Sequence, residues 1–383
     1  MICQLSYQDG RATRRLLLDK TRRVVVKVGS AILTDESGMN LPLVERLVEQ
    51  LLFLRNSGRE VIFVTSGAVA AGRRRIRLGQ EAGIREKQAL AAIGQSILMH
   101  TYDRFFSRYN TTIAQVLLTH EDLDHRHRYL NIRNTLTTLL RFGVVPVINE
   151  NDTVSVEELR FGDNDRLAAL ITNLTEADLC ICLTDVNGLY PAPPDQLENP
   201  QPVANIVEIN EEIEEMLGAS ASGVGTGGMA TKVRAAKMVA VRGGASFIGP
   251  GREERVIERL FAGDDIGSFF FPAKHPLHSR KHWIAYALKP KGELILDDGA
   301  CAALVQKGRS LLPSGILEVR GDFGPGDAVH CLDRDKRPIA VGLINYCAAD
   351  TRRIRGARSD QIAAILGYKD SDEVMHRDNL VLL

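Results

Sequence analysis

Val24-Val25-Val26-Lys27-Val28-Gly29-Ser30 is a short apolar run broken by one lysine and ending in a glycine and a serine. A continuous β-branched run of this length predicts a strand covered on both faces, as in a parallel sheet, rather than one with a wet face. The lysine inside it needs a partner at the strand mouth, because a buried, unpaired ammonium is strongly disfavoured. A phosphate would serve, and ligands of open α/β sheets bind at the carboxyl ends of strands. Snorkelling of Lys27 to water from a sheet edge is the competing reading.

The same texture recurs at residues 61–64, 112–118, 144–148, 179–183 and 246–249, with helical segments between. Leu43, Leu47, Leu51 and Leu54 keep helical spacing ahead of Ser57-Gly58, and residues 228–241 also read as a helix. The prolines of 191–202 mark a loop. Strand and helix alternating in this way predict an α/β fold, a three-layer sandwich around a largely parallel sheet. Beyond Trp283 helices thin out, and short β-like runs separated by Gly- and Asp-rich turns predict a small C-terminal β-barrel. The expected division is an N-terminal extension over 1–21, the α/β domain over 22–272, a linker over 273–290, the β-rich domain over 291–370 and a tail over 371–383.

A chain of 383 residues is long enough for two cores. Lys plus Arg and Asp plus Glu number 48 each, so no global charge favours nucleic acid or a membrane surface. The six cysteines are scattered, with Cys180 and Cys182 on one strand face rather than in a CxxC knuckle, and reduced thiols are expected. No apolar run approaches the ~20 residues that cross a bilayer, and the arginine-flanked Leu16-Leu17-Leu18 is too short for a signal core, so a soluble cytoplasmic protein is expected.

Four further segments carry chemistry. Thr65-Ser66-Gly67 ends an apolar strand, where backbone N–H groups hold anions; as structure alone, Ser66 is a helix cap and Gly67 and Gly72 are packing glycines. Asn149-Glu150-Asn151-Asp152 and Gly162-Asp163-Asn164-Asp165 place acids and amides after another buried strand. Carboxylates hold an ammonium and amides hold a carboxylate, so a zwitterionic amino acid matches them; a divalent metal is the rival, though the spacing is not that of a calcium loop. Thr184-Asp185 sits at a strand end before the turn glycine Gly188. Gly223-Val-Gly-Thr-Gly-Gly-Met-Ala-Thr-Lys232 is a glycine-rich loop entering a helix, suited to close phosphate approach. It follows an acidic helix-like segment instead of a strand, which argues against a dinucleotide fingerprint, and it lacks the Gly-Lys-Ser/Thr ending of a Walker A loop.

In this order the segments resemble the glutamate 5-kinases of the amino acid kinase family over nearly all of the chain after Arg22. Residues 292–299, 310–315 and 340–344 resemble a PUA domain. The resemblance implies ATP and Mg²⁺ as co-substrates and L-glutamate as acceptor. It makes Lys27, Lys232 and Asp165 catalytic, with Asp165 orienting the lysines. It assigns Lys27, Gly29, Thr184, Asp185, Thr226, Gly227, Gly228, Met229, Ala230, Thr231 and Lys232 to ATP, and Ser66, Gly67, Asn149, Asp152 and Asn164 to glutamate. It gives no residue as a metal ligand. It further implies feedback inhibition by proline, a homo-oligomer (dimer or tetramer), and transient contact with the downstream reductase. A kinase of aspartate or N-acetylglutamate would share the phosphate-handling parts; Asp152 favours a free α-amino group. PUA modules also raise RNA as a partner, but in a region balanced in charge Arg352, Arg353, Arg355 and Arg358 form one local basic cluster, read as a solvated face or subunit contact, and RNA is not expected.

Overall fold

The computed structural model describes residues 7–35, 38–76, 83–154, 163–192, 196–209, 213, 228–274, 284 and 288–383. The chain divides into two units, Met1–Pro276 and Leu277–Leu383. In the first lie β1 (Arg23–Val28), the short hairpin of β2 (Thr34–Asp35) and β3 (Gly38–Met39), β4 (Glu60–Val64), β5 (Ile113–Leu118), β6 (Val145–Glu150), β7 (Leu179–Thr184), β8 (Asn205–Ile206), β9 (Ala245–Pro250) and β10 (Ser268–Phe270). All but the hairpin form one sheet in the order β5-β6-β4-β1-β7-β9-β10-β8. The run from β5 to β9 in that order is parallel, and β10 and β8 run against it at one edge.

The valine run that predicts a strand buried on both faces is β1, at the centre of the sheet between β4 and β7. Side chains alternate along it, so Val24, Val26 and Val28 face one layer and Val25 and Lys27 the other. The first set packs with Leu43, Leu47 and Leu51 of the helix Leu41–Asn56 and with Phe106 of Ile84–Ser107. Over Lys27 lie the helices Asp163–Leu174 and Met229–Arg242, which pack on each other and on β1, β7 and β9. The chain leaves β1 toward β4 and later returns on its other side as β7, so the order reverses around β1. That reversal opens a crevice at the carboxyl ends of the strands.

Residues 7–20 of the lead-in, to which the sequence assigned no role, are a helix, Tyr7–Lys20, with Leu18 and Arg14 buried. Arg11 donates to the Gly263 carbonyl at 3.1 Å, and the Arg14 guanidinium lies 5.7 Å over the Phe269 ring. These contacts attach the helix to the β8–β10 edge.

The helices Ala68–Ile76 and Ile84–Ser107 cross in near backbone contact. A Cβ on Gly94 would stand 1.7 Å from the Ala68 carbonyl oxygen, and one on Gly72 would stand 1.9 Å from that of Leu90. Gly94→Ala is therefore expected to force the helices apart and lower stability by about 1–3 kcal/mol. An unshifted thermal midpoint in that variant would contradict the close crossing.

The second unit contains β11 (Gly292–Leu296), β12 (Ile316–Gly321), β13 (Ala328–Leu332), β14 (Pro338–Leu343) and β15 (Leu380–Leu382), in the order β12-β11-β13-β14-β15. The helices Asp298–Lys307 and Ala348–Ile354 pack on its core of Leu294, Leu296, Val329, Cys331, Ala340 and Tyr346. Residues 371–383, expected as a tail, belong to this core instead: Val374 and Met375 are fully buried, and β15 pairs with β14. Their apolar residues come as two short clusters, Val374-Met375 and Leu380-Val381-Leu382, too brief to stand out as a strand. Two arginines of the basic cluster are held locally, Arg352 donating to the Gly321 carbonyl and Arg353 to that of Ile365.

Candidate active site

Lys27 emerges from β1 toward Asp165, which sits in the first turn of Asp163–Leu174. The Lys27 ammonium donates to Asp165 Oδ1, and Lys232 Nζ reaches Asp165 Oδ2 at 3.2 Å. Thr231 Oγ1 donates to the same Oδ2 at 2.7 Å, and the Cys182 thiol lies 3.5 Å from Oδ1. The Asp165 side chain is 0% exposed, and the lysines 6% and 8%. One buried carboxylate thus carries two ammonium groups, an assembly with a net positive charge at the strand ends.

Burial works to raise the Asp165 pKa, but the two ammonium groups and the hydrogen bonds from Lys27 and Thr231 hold it below the usual carboxylate range. Burial likewise opposes the Lys27 ammonium, yet the Asp165 carboxylate, through its charge and its hydrogen bond, leaves its pKa raised. The Cys182 thiol is pushed up to about 12 and that of Cys180 to about 11, both by burial first, so both stay protonated and unreactive at neutral pH. Cys180, Cys182, Cys301, Cys331 and Cys347 are free thiols, as read from the sequence; Cys3 lies outside the described residues.

Gly228 caps the helix Met229–Arg242, whose first turn holds Met229, Ala230 and Thr231 and leads directly into Lys232; the Thr231 N–H donates to the Gly228 carbonyl at 3.2 Å. Thr226 and Gly227 lie outside the described residues. The Gly29 N–H donates to the Leu183 carbonyl at 3.3 Å, which joins the end of β1 to that of β7. A Cβ on Gly29 would stand 3.8 Å from Lys27 Nζ, which places Gly29 directly beside that ammonium. Thr184 Oγ1 donates to Asp185 Oδ1 at 3.0 Å; Thr184 is buried and Asp185 exposed.

The amide cluster gathers on the other side, at the ends of β4 and β6. Asn164 Nδ2 lies 2.9 Å from the Thr65 carbonyl oxygen, 2.8 Å from Ser66 Oγ and 3.1 Å from Asn149 Oδ1. Gly67 has φ +93°, a conformation that favours glycine and turns the chain from β4 into Ala68–Ile76. Asp152 is half-buried in the turn after β6. Asn164 and Asp165 are consecutive, so one helix start ties the amide cluster to the lysine cluster.

The sequence did not point to Gln95, whose Oε1 accepts from Asn149 Nδ2 at 2.9 Å, nor to Cys182 against Asp165, nor to Tyr102, whose hydroxyl is 2.6 Å from Thr65 Oγ1. Gln95 is one of several polar residues in its helix and shares the buried face with Thr101 and Tyr102, so nothing in the local sequence singles it out.

An open, mostly parallel α/β sheet with paired lysines and a helix N-terminus converging at its strand ends is the architecture of a phosphate-handling enzyme. The chain belongs to the amino acid kinase family, whose model matches residues 22–248, and a PUA domain model matches residues 292–366. The glutamate 5-kinase of Desulfotalea psychrophila is 58% identical over 97% of this chain and 99% of its own length. That of Geobacter sulfurreducens is 48% identical over 96% of this chain and 99% of its own. Among solved structures, UMP kinase from Bacillus anthracis aligns with a TM-score of 0.46 at 14% identity, over 66% of this chain and 96% of that one.

Proposed function

We propose that this chain transfers the γ-phosphoryl group of ATP to the γ-carboxylate of L-glutamate, giving glutamyl 5-phosphate and ADP, the first step toward proline. The observation that carries the reading is the junction at Asn164-Asp165, where a cationic pair adjoins an amide and carboxylate pocket. High identity over nearly full length to relatives named glutamate 5-kinase supports the choice of acceptor.

Both reactants are anions, so the barrier is largely electrostatic and positional. Lys27 and Lys232 flank the transferring phosphoryl group, and Asp165 sets their spacing. The Gly228–Thr231 turn, with Thr226 and Gly227 ahead of it, receives the phosphates, and Gly29, Thr184 and Asp185 line the nucleotide side. Asp152 receives the α-ammonium of glutamate, while Ser66, Gly67, Asn149 and Asn164 hold and orient the substrate around it. A γ-carboxylate oxygen attacks Pγ, the bond from Pγ to the β,γ-bridging oxygen breaks, and ADP leaves with the electron pair; no enzyme-bound intermediate forms. Mg²⁺ belongs to the nucleotide as substrate, because both oxygens of Asp165 are already taken by ammonium and hydroxyl donors.

Proline as a competing inhibitor, a homo-oligomer, contact with the downstream reductase and a cytoplasmic location follow from the same reading. No helix among the described residues is long and apolar enough to cross a membrane.

An acyl phosphate is trapped by hydroxylamine as a coloured hydroxamate. With ATP and Mg²⁺ the chain is expected to give hydroxamate with glutamate and not with N-acetylglutamate, whose blocked amine loses its match to Asp152. Product with aspartate or N-acetylglutamate but none with glutamate would overturn the reading.

A further inference from the structure

A ladder of side-chain amides runs from the helix Ile84–Ser107 to the pocket, and two backbone groups fix its polarity. The N–H of Glu150 donates to Asn149 Oδ1 at 3.0 Å, so Asn149 turns Nδ2 the other way, onto Gln95 Oε1 at 2.9 Å. At the far rung the Thr65 carbonyl only accepts, so Asn164 presents Nδ2 to it and to Asn149 Oδ1. Reversing a single amide would set oxygen against oxygen or N–H against N–H. Nδ2 of Asn164 is thereby fully used, and its Oδ1 is buried with no partner among the described residues. A buried acceptor left open in this way is costly unless a ligand completes it.

We propose that Gln95 is a positioning residue of the amino-acid site: it locks Asn149, and through it Asn164, so that Asn164 Oδ1 stands as an acceptor for the substrate's ammonium end. The inference rests on the glutamate reading of the pocket. Gln95 touches no substrate atom. It is 8% exposed and reaches β6 because Gly94 beside it lets the helix approach Ala68 so closely. Without the Gln95 oxygen, Asn149 Nδ2 has no acceptor among the described residues, and turning the amide to find one would sacrifice its bond to the Glu150 N–H.

The test compares Gln95→Met, of similar length but with no acceptor, with Gln95→Glu, which keeps an oxygen at the same place. Loss of one aligned hydrogen bond is expected to raise the KM for glutamate in Gln95→Met about 10-fold, with kcat and the KM for ATP held within about 3-fold. Gln95→Glu is expected to recover most of that loss. An unshifted glutamate KM in Gln95→Met, an equal shift in both KM values, or a Gln95→Glu as impaired as Gln95→Met would each overturn the inference. Should Gln95→Met be insoluble, Gln95→Ala, which cannot overpack, takes its place with the same expected split. No hydroxamate from the unmutated chain with glutamate would bring down the glutamate reading and this inference together, whereas an active parent with an unshifted variant overturns the inference alone.

Discussion

Lys27→Ala is expected to lower kcat by roughly 10²- to 10⁵-fold while leaving the protein folded, by comparison with other cations that stabilise phosphoryl transfer. The fold should survive because Asp165 keeps Lys232 and the Thr231 hydroxyl after the change, so no buried charge is stranded. The chemistry should not survive, because the lost ammonium sits at the mouth of the central strand, paired to Asp165 and next to the bare backbone of Gly29. A cation placed there neutralises charge that builds on the phosphoryl oxygens as the donor bond lengthens. Water cannot replace it in a site this enclosed. Lys232→Ala should behave alike. Hydroxamate formation at saturating ATP and glutamate, with circular dichroism as the folding control, reads both variants; turnover within a few-fold of the parent would remove the lysines from the reaction.

Lys27 was legible in the sequence because a charge amid valines has few places to go. Its partner was legible only in outline: the strings around Asn149 and Asn164 announced a polar pocket, and Asp165 was tied to the lysines through the family resemblance. That Asn164 would hold the Thr65 carbonyl depends on how the starts of two distant helices meet, and no local spacing encodes that. The central strands were readable because burial on both faces leaves unbroken apolar runs. β8 and β10 were not, since strands of two and three residues at a sheet edge carry too few side chains to show a period. The first helix hid for another reason. Its buried face includes Arg14, which on sequence alone reads as solvent-facing, yet its Nη2 donates to the Asp264 carbonyl and its guanidinium lies over the Phe269 ring of the edge it covers.

Asp165→Asn should do what the lysine changes do not, and weaken the fold as well as the reaction. The amide has the same shape but no charge, so Lys27 and Lys232, both nearly buried, would lose their shared counter-ion. Removing one partner from a buried ion pair costs about 3–5 kcal/mol, because the remaining charge is left uncompensated. The pH dependence separates this cause from a general loss of packing. The Asp165 pKa is lowered in the folded chain, so its contribution is present above the unfolded value of about 4 and fades as pH falls through the lower folded value. The Lys27 pKa is raised, so its contribution is complete below the unfolded value of about 10.4 and fades as pH rises through the folded one. The stability gap between parent and variant should therefore be widest around neutrality and close toward both extremes. Urea unfolding of both proteins at acid, neutral and alkaline pH measures that gap; a gap equally wide in strong acid would mean that Asp165 holds the fold by shape and not by charge.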